Sequence, residues 1–292
     1  MLEKQNLNVR SLFSSDEMAF GKWRWWIIPI CFVLSVVFTM FFTQLLGQSV
    51  FRSISQVLGY FVAALVSVGI FSLIKRQSCF DGFSFLGQKP VFYNIFMGIV
   101  TGVLIIYTTR GVEFILKNND TGTNSLIEMK YGSDMANTLV LTFLITVLAP
   151  FAEEMFFRAI LFRSLRDSLG TLAKKSKKLA MFAEVLAFAL AASIFISAHM
   201  TEKSTIFTAL LYVPMACLFL LVYRYTGSLL AAITAHAVNN SNAMTTSILD
   251  INKNPAYDNV SVGYIGASIL GGFIAIAVGY LLGKLFDKKT YN

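Results

Sequence analysis

The 292-residue chain is 56% hydrophobic and only 14% charged, where a soluble domain carries about 25% charged residues, and its mean hydropathy is +0.66. That balance excludes a water-soluble globular fold and points to an all-α, polytopic membrane protein. The formal net charge of +8 would suit nucleic acid on a soluble protein. Here the lysines and arginines lie in short loops and at the two ends, so they read as cytoplasmic anchors, with the lipid bilayer as partner and no nucleic acid.

In chain order, residues 1–25 form a polar to amphipathic segment suited to the membrane interface. Asp16 and Glu17 precede the first apolar run and no small-residue cleavage site follows, which favours a retained anchor over a signal peptide. All three tryptophans, at 23, 25 and 26, lie beside Lys22 and Arg24 as an interfacial belt. Apolar runs of spanning length, about 20 residues, follow near 26–46, 54–74, 92–112, 138–162, 180–199, 205–223, 228–248 and 262–283. The chain thus divides into an N-terminal interfacial segment (1–25), helices 1–3 with an external loop (26–137), helices 4–7 (138–248), and a second external loop, helix 8 and basic tail (249–292). Eight transmembrane helices with a buried polar cavity are expected.

Most of the 24 lysines and arginines fall on one side of the membrane if the N-terminus is cytoplasmic. The run Arg163 to Lys178 is the strongest marker, so both termini are expected on the cytoplasmic side of the cell membrane. Gly98 and Gly102, Ala183, Ala187 and Ala191, and the series Gly263, Ala267, Gly271, Ala275, Gly279 and Gly283 repeat small residues every four positions. Such stripes let helices approach closely. The run around His236, rich in alanine and threonine, is expected at the centre of the bundle. Cys31, Cys79 and Cys217 show no paired spacing, so neither a disulfide nor a cysteine zinc set is expected.

Chemistry concentrates in the second half. Ala149 to Arg163 carries Glu153, Glu154 and Arg158 within an apolar run, where each charge costs at least about 2.5 kcal/mol to insert. Glu154 and Arg158 are four apart and share a helix face. Glu153 points about 100° away, without a cation at i+4. The only two histidines both lie in apolar helices, His199 four residues after Phe195 and His236 four before Asn240. Asn239 and Ser241 are read as packing. All eight aspartates lie in loops or tails, and Glu184 is placed where it can snorkel to the cytoplasmic surface. Peptide hydrolysis needs a base for water, donors for the oxyanion and an acid for the leaving amine; one glutamate, two imidazoles and an amide meet that need. There is no His-Glu-x-x-His pair, no Gly-x-Ser-x-Gly elbow and no intramembrane aspartate for rival hydrolytic sites.

The ordered set Glu153-Glu154-x-x-x-Arg158, Phe195-x-x-x-His199 and His236-x-x-x-Asn240 resembles the CAAX-processing and bacteriocin-processing (Abi) family of intramembrane proteases. Tyr223 to Leu229 also resembles that family's lead-in to the third motif. The resemblance covers roughly 138–248, a protease core, and Ala159 departs from the glycine common there. It implies an endopeptidase acting on a membrane-associated or lipidated peptide, with roles in peptide maturation, bacteriocin self-immunity or signalling. Glu153 and His199 would activate water, His236 and Asn240 would stabilise the oxyanion, and Glu154 and Arg158 would support the site. Water activated by glutamate needs no cofactor; a divalent metal such as zinc on Glu153, His199 and His236 is the alternative.

Two other classes fit the same composition. A non-catalytic scaffold would bind another membrane protein, such as a sensor kinase, and would have no use for a buried base and two histidines. A proton-coupled transporter could relay protons through these side chains, but broken helix pairs in repeated halves are missing. One geometric strain is visible: if the fifth span starts at Leu179, His199 lies about 30 Å along it. That span must then begin in the cytoplasm or tilt for His199 to reach Glu153, and the catalytic reading requires the two within about 12 Å.

Overall fold

The computed structural model describes residues 85–116 except 88, then 142–173, 176–200, 206–251 and 262–287, with scattered positions between 33 and 62. The spans expected near 26–46 and 54–74, the tryptophan belt and most of the loop 113–137 lie outside the described residues. From residue 91 onward the described residues are almost all helical, in six consecutive rods. They are α1 (Val91–Leu116), α2 (residues 144–173), α3 (Lys177–Ala198), α4 (Ile206–Thr226), α5 (Leu229–Ile251) and α6 (Val262–Asp287).

Four of these, α1, α3, α4 and α6, are long and apolar enough to cross a membrane. Large apolar side chains stand on their outer faces, among them Phe92, Phe96, Phe114, Phe182 and Phe273. Lipid, not water, is the solvent such a surface requires. Helix α5 differs because it is the internal element, packed on α1, α6, α4 and α2. Leu229, Leu230, Ala231, Ala232, Ile233, Ala235 and Ala237 are all inaccessible, so this helix can be less apolar than its neighbours.

Small residues set the closest contacts, since lipid tails give packed helices little hydrophobic advantage. A methyl group at Gly98 would meet the Ala231 carbonyl oxygen at 2.6 Å, and one at Gly102 the Ala235 oxygen at 2.8 Å. The expected stripe in α1 is therefore the α1–α5 seam. Ala183, Ala187 and Ala191 of α3 are buried as one line, and Gly271, Ala275, Gly279 and Gly283 of α6 do the same.

The start of α5 is fixed by capping. Gly227 adopts φ +65°, and its N–H bonds the Tyr223 carbonyl to close α4. Ser228 Oγ accepts from the Ala231 N–H and donates to the Phe85 carbonyl, which also receives the Leu230 N–H. Helix α3 opens on Ser176, whose Oγ accepts from Leu179 N–H.

Helix α2 overruns its expected end at residue 162 by about three turns, reaching Ala173. It forms a hairpin with α3. Counted from the point where α2 ends and α3 begins, Glu153 lies about twenty residues back and His199 about as many forward, so the two positions come level along the paired helices. This removes the geometric strain, because residues 163–173 of the segment read as a cytoplasmic loop continue α2 as helix. The same extension overturns the placing of Glu184. Its carboxylate does not snorkel; it is buried and bridges Arg166 Nε at 2.6 Å and Arg224 Nε at 2.7 Å.

Candidate active site

Helix α2 is not uniform where it carries the site. Residues Leu144–Leu148 and Met155–Phe162 are π-helical, flanking a short α-helical piece Ala149–Glu154. Pro150 is one local cause. It has no N–H to donate and its ring collides with the preceding turn; a widened turn relieves both. Extended π-helix is uncommon and concentrates where side chains must be aimed.

Glu153 and Glu154 are consecutive, so they diverge around the helix and serve different partners. Glu154 turns to α5 and to its own helix. Its Oε1 lies 2.8 Å from His236 Nδ1, and its Oε2 lies 3.0 Å from Arg158 Nε. Glu154 and Arg158 are both 0% exposed. The two terminal nitrogens of Arg158 are buried without a hydrogen-bond acceptor among the described residues. Aromatic faces take that place: the guanidinium carbon lies 4.6 Å from the Phe195 ring centre, 5.2 Å from Phe219 and 5.8 Å from Phe157.

Glu153 faces the two histidines. Its Oε2 is 3.3 Å from His199 Nε2 and 3.8 Å from His236 Nε2. The first distance lies well inside the 12 Å the catalytic reading requires. His199 caps the C-terminus of α3, with its Nδ1 2.8 Å from the Phe195 carbonyl oxygen. A carbonyl only accepts, so Nδ1 carries a proton there. The Glu154 carboxylate imposes the same tautomer on His236. Both rings therefore turn Nε2 toward Glu153. Across the 3.3 Å contact one further proton is needed, on Nε2 or on the carboxylate, and the pair can trade it with a third molecule.

Rings hold these orientations. His236 stacks on Phe219 at 4.6 Å and 20°, and His199 is sandwiched by Phe195 and Tyr212 at 4.3 and 4.8 Å. Access is graded. The side chains of Glu153 and His199 are 19% and 24% exposed, and that of His236 only 5%. An arriving substrate meets Glu153 and His199 first, backed by His236, then Glu154 and Arg158.

Asn240, one turn beyond His236, donates from Nδ2 to the Ile145 carbonyl of α2 at 2.9 Å. Asn239, read as packing, reaches Asn240 Oδ1 at 3.4 Å and Met215 Sδ at 3.6 Å. Ser241 lies against Gly272, where an added methyl would meet its Oγ. All six site residues expected from the sequence thus line the junction of α2, α3 and α5. Sequence reasoning missed the aromatic floor of Phe219 and Tyr212 and the Arg166–Glu184–Arg224 bridge. Arg224, within the lead-in segment before His236, was the one signal available for that bridge.

For zinc, the described His, Cys, Asp and Glu side chains include no group of three arranged to hold a metal ion. His236 Nε2 lies 3.8 Å from the nearer Glu153 oxygen, and its Nδ1 lies 2.8 Å from Glu154 Oε1.

Comparison with known proteins agrees with this geometry at the level of family. Residues 135–242 match the family described as type II CAAX prenyl endopeptidase Rce1-like. That segment contains every residue of the site. No curated protein and no solved structure matches the chain.

Proposed function

From the premise that residues 135–242 belong to the CAAX-type intramembrane protease family, we propose that this chain is a glutamate-type endopeptidase of a membrane-associated or lipidated peptide. Glu153, paired with His199, takes a proton from water as the oxygen attacks the scissile carbonyl carbon. The C–O bond forms and the carbonyl oxygen becomes an oxyanion, which His236 and Asn240 meet with N–H groups. Donation from His236 Nε2 requires the ring to be an imidazolium, since Nδ1–H is held by Glu154. Glu154, fixed by Arg158, balances that charge, as the aspartate does in a serine protease triad. Collapse of the oxyanion breaks the C–N bond, and the amine leaves with the proton held by Glu153 and His199.

The observation that carries this reading is Glu153 Oε2 within 3.3 and 3.8 Å of two differently supported imidazoles, the more exposed one beside the base. No cofactor is required by it. The active site would open toward one membrane face of a bacterial cell membrane, with both termini cytoplasmic, and serve peptide maturation, including bacteriocin processing and self-immunity.

The test is cleavage of a library of lipidated and plain membrane peptides by the purified protein, with products read by mass spectrometry. Activity that survives a chelator and is lost in Glu153→Ala supports the reading. Activity abolished by chelator and restored by zinc replaces it with a metal mechanism. A Glu153→Ala chain that keeps its cellular phenotype would favour the scaffold.

A further inference from the structure

We infer that Pro150 is a positioning residue for Asn240, acting through the backbone carbonyl of Ile145; the inference rests on the endopeptidase reading above. In the first π-helical stretch the Ala149 N–H bonds the Leu144 carbonyl, five residues back. Continued by one residue, that register would bring the N–H of position 150 to the carbonyl of Ile145. Proline has no N–H. The Ile145 oxygen is bonded instead by Asn240 Nδ2, 95 residues away in sequence, at 2.9 Å.

This contact decides which way the amide faces. A carbonyl oxygen accepts and cannot donate, so the nitrogen of Asn240 must face α2. Oδ1 is turned toward Asn239 Nδ2 at 3.4 Å. The second proton on Asn240 Nδ2 has no partner among the described residues. Position matters as well as polarity. One π turn of about 4.4 residues and one α turn of 3.6 bring Ile145 onto the helix face of Glu153, eight residues on. The amide nitrogen is therefore held between the helix of the base and the helix of His236, with a donor to spare for the oxyanion. An N–H at position 150 gives Ile145 a backbone donor of its own. That donor competes with Asn240 for the same oxygen and weakens its anchor, so the amide can turn Oδ1, an acceptor, toward the developing negative charge.

The experiment compares Pro150→Ala, Asn240→Ala and the double variant by kcat and KM, with thermal stability alongside. Pro150→Ala is expected to lower kcat about 10-fold or more, with KM nearly unchanged, and Asn240→Ala to lower it about 100-fold. The double variant is expected to be no slower than Asn240→Ala alone. A kink-only role for Pro150 predicts additive losses, and that result overturns the inference. If Pro150→Ala does not fold, an α-hydroxy acid at position 146 makes the Ile145 carbonyl an ester, a weaker acceptor, with Pro150 in place. It should slow the wild type and leave Asn240→Ala unchanged; equal effects in both overturn the inference. A readout independent of activity is the side-chain amide resonance of Asn240 in asparagine-labelled protein, identified by its loss in Asn240→Ala. Pro150→Ala or the ester must shift it, and an unmoved resonance overturns the inference. Absence of cleavage by the wild type, by contrast, refutes the endopeptidase reading and leaves the resonance to judge Pro150.

Discussion

Replacing Glu154 with glutamine changes no volume but leaves one acceptor where two donors converge. In the wild type, Oε1 takes His236 Nδ1–H at 2.8 Å, and Oε2 stands 3.0 Å from Arg158 Nε as its ion-pair partner. Glutamine offers one oxygen and one NH2 group, so either His236 or Arg158 must face a donor. If the oxygen stays with Arg158, His236 flips tautomer and its Nε2 becomes protonated without the balancing charge. If it stays with His236, the fully buried guanidinium loses its anion. Removing one partner of a buried pair costs about 3–5 kcal/mol. The aromatic faces around Arg158 favour the lower end, so about 3 kcal/mol and a fall in Tm on the order of 10 °C are expected. Either way the carboxylate that balances an imidazolium at His236 is gone, and losing a charged oxyanion donor at Nε2 costs about 10²–10³ in kcat. The assay is peptide cleavage by purified protein together with thermal unfolding in detergent. A second step separates stability from catalysis: Glu154→Gln with Arg158→Met removes the stranded charge and should recover most of the Tm but none of the kcat. Glu154→Gln retaining the wild-type Tm and a kcat within about threefold would refute the pairing.

Glu184→Gln takes the shared anion from Arg166 and Arg224 at the far end of the α2–α3 hairpin. It should lower Tm by several degrees, with kcat in the surviving folded protein changed less than about threefold; a loss confined to kcat would contradict this. Gly98→Val should destabilise by about 1–3 kcal/mol, because even a β-carbon meets the Ala231 carbonyl and Thr234 Cβ at 2.6 Å, and α1 must part from α5. An unchanged unfolding temperature would remove that seam from the account. Phe219→Leu keeps an apolar floor but loses the ring beneath His236 and Arg158. Kinetics should show a lower kcat with KM little changed, and the reverse split would assign Phe219 to substrate binding.

Much of the site was legible because intramembrane charge is costly and scarce. Two carboxylates, one guanidinium and both histidines of the chain stood out against apolar surroundings, and i, i+4 spacing correctly paired Glu154 with Arg158. The central place of α5 followed from its small residues. What periodicity could not supply was the true end of α2. Arg163 and Arg166 resemble the edge of a membrane span, yet the helix continues with both arginines buried and Arg166 paired with Glu184 of α3. Nor could spacing show that Glu154, rather than Glu153, bonds His236, or that Asn240 is tied to a backbone carbonyl. Those depend on π turns that shift the helix face, and the sequence marks them only with Pro150.

The most direct measurement is the turnover of one defined lipidated or membrane peptide by the purified chain and by Glu153→Gln, which keeps the size of the side chain and removes its basicity. The account predicts new amino and carboxyl termini with the wild type, and a loss of about 10²–10⁴ in kcat for the variant at equal thermal stability. A variant that cuts at the wild-type rate contradicts it.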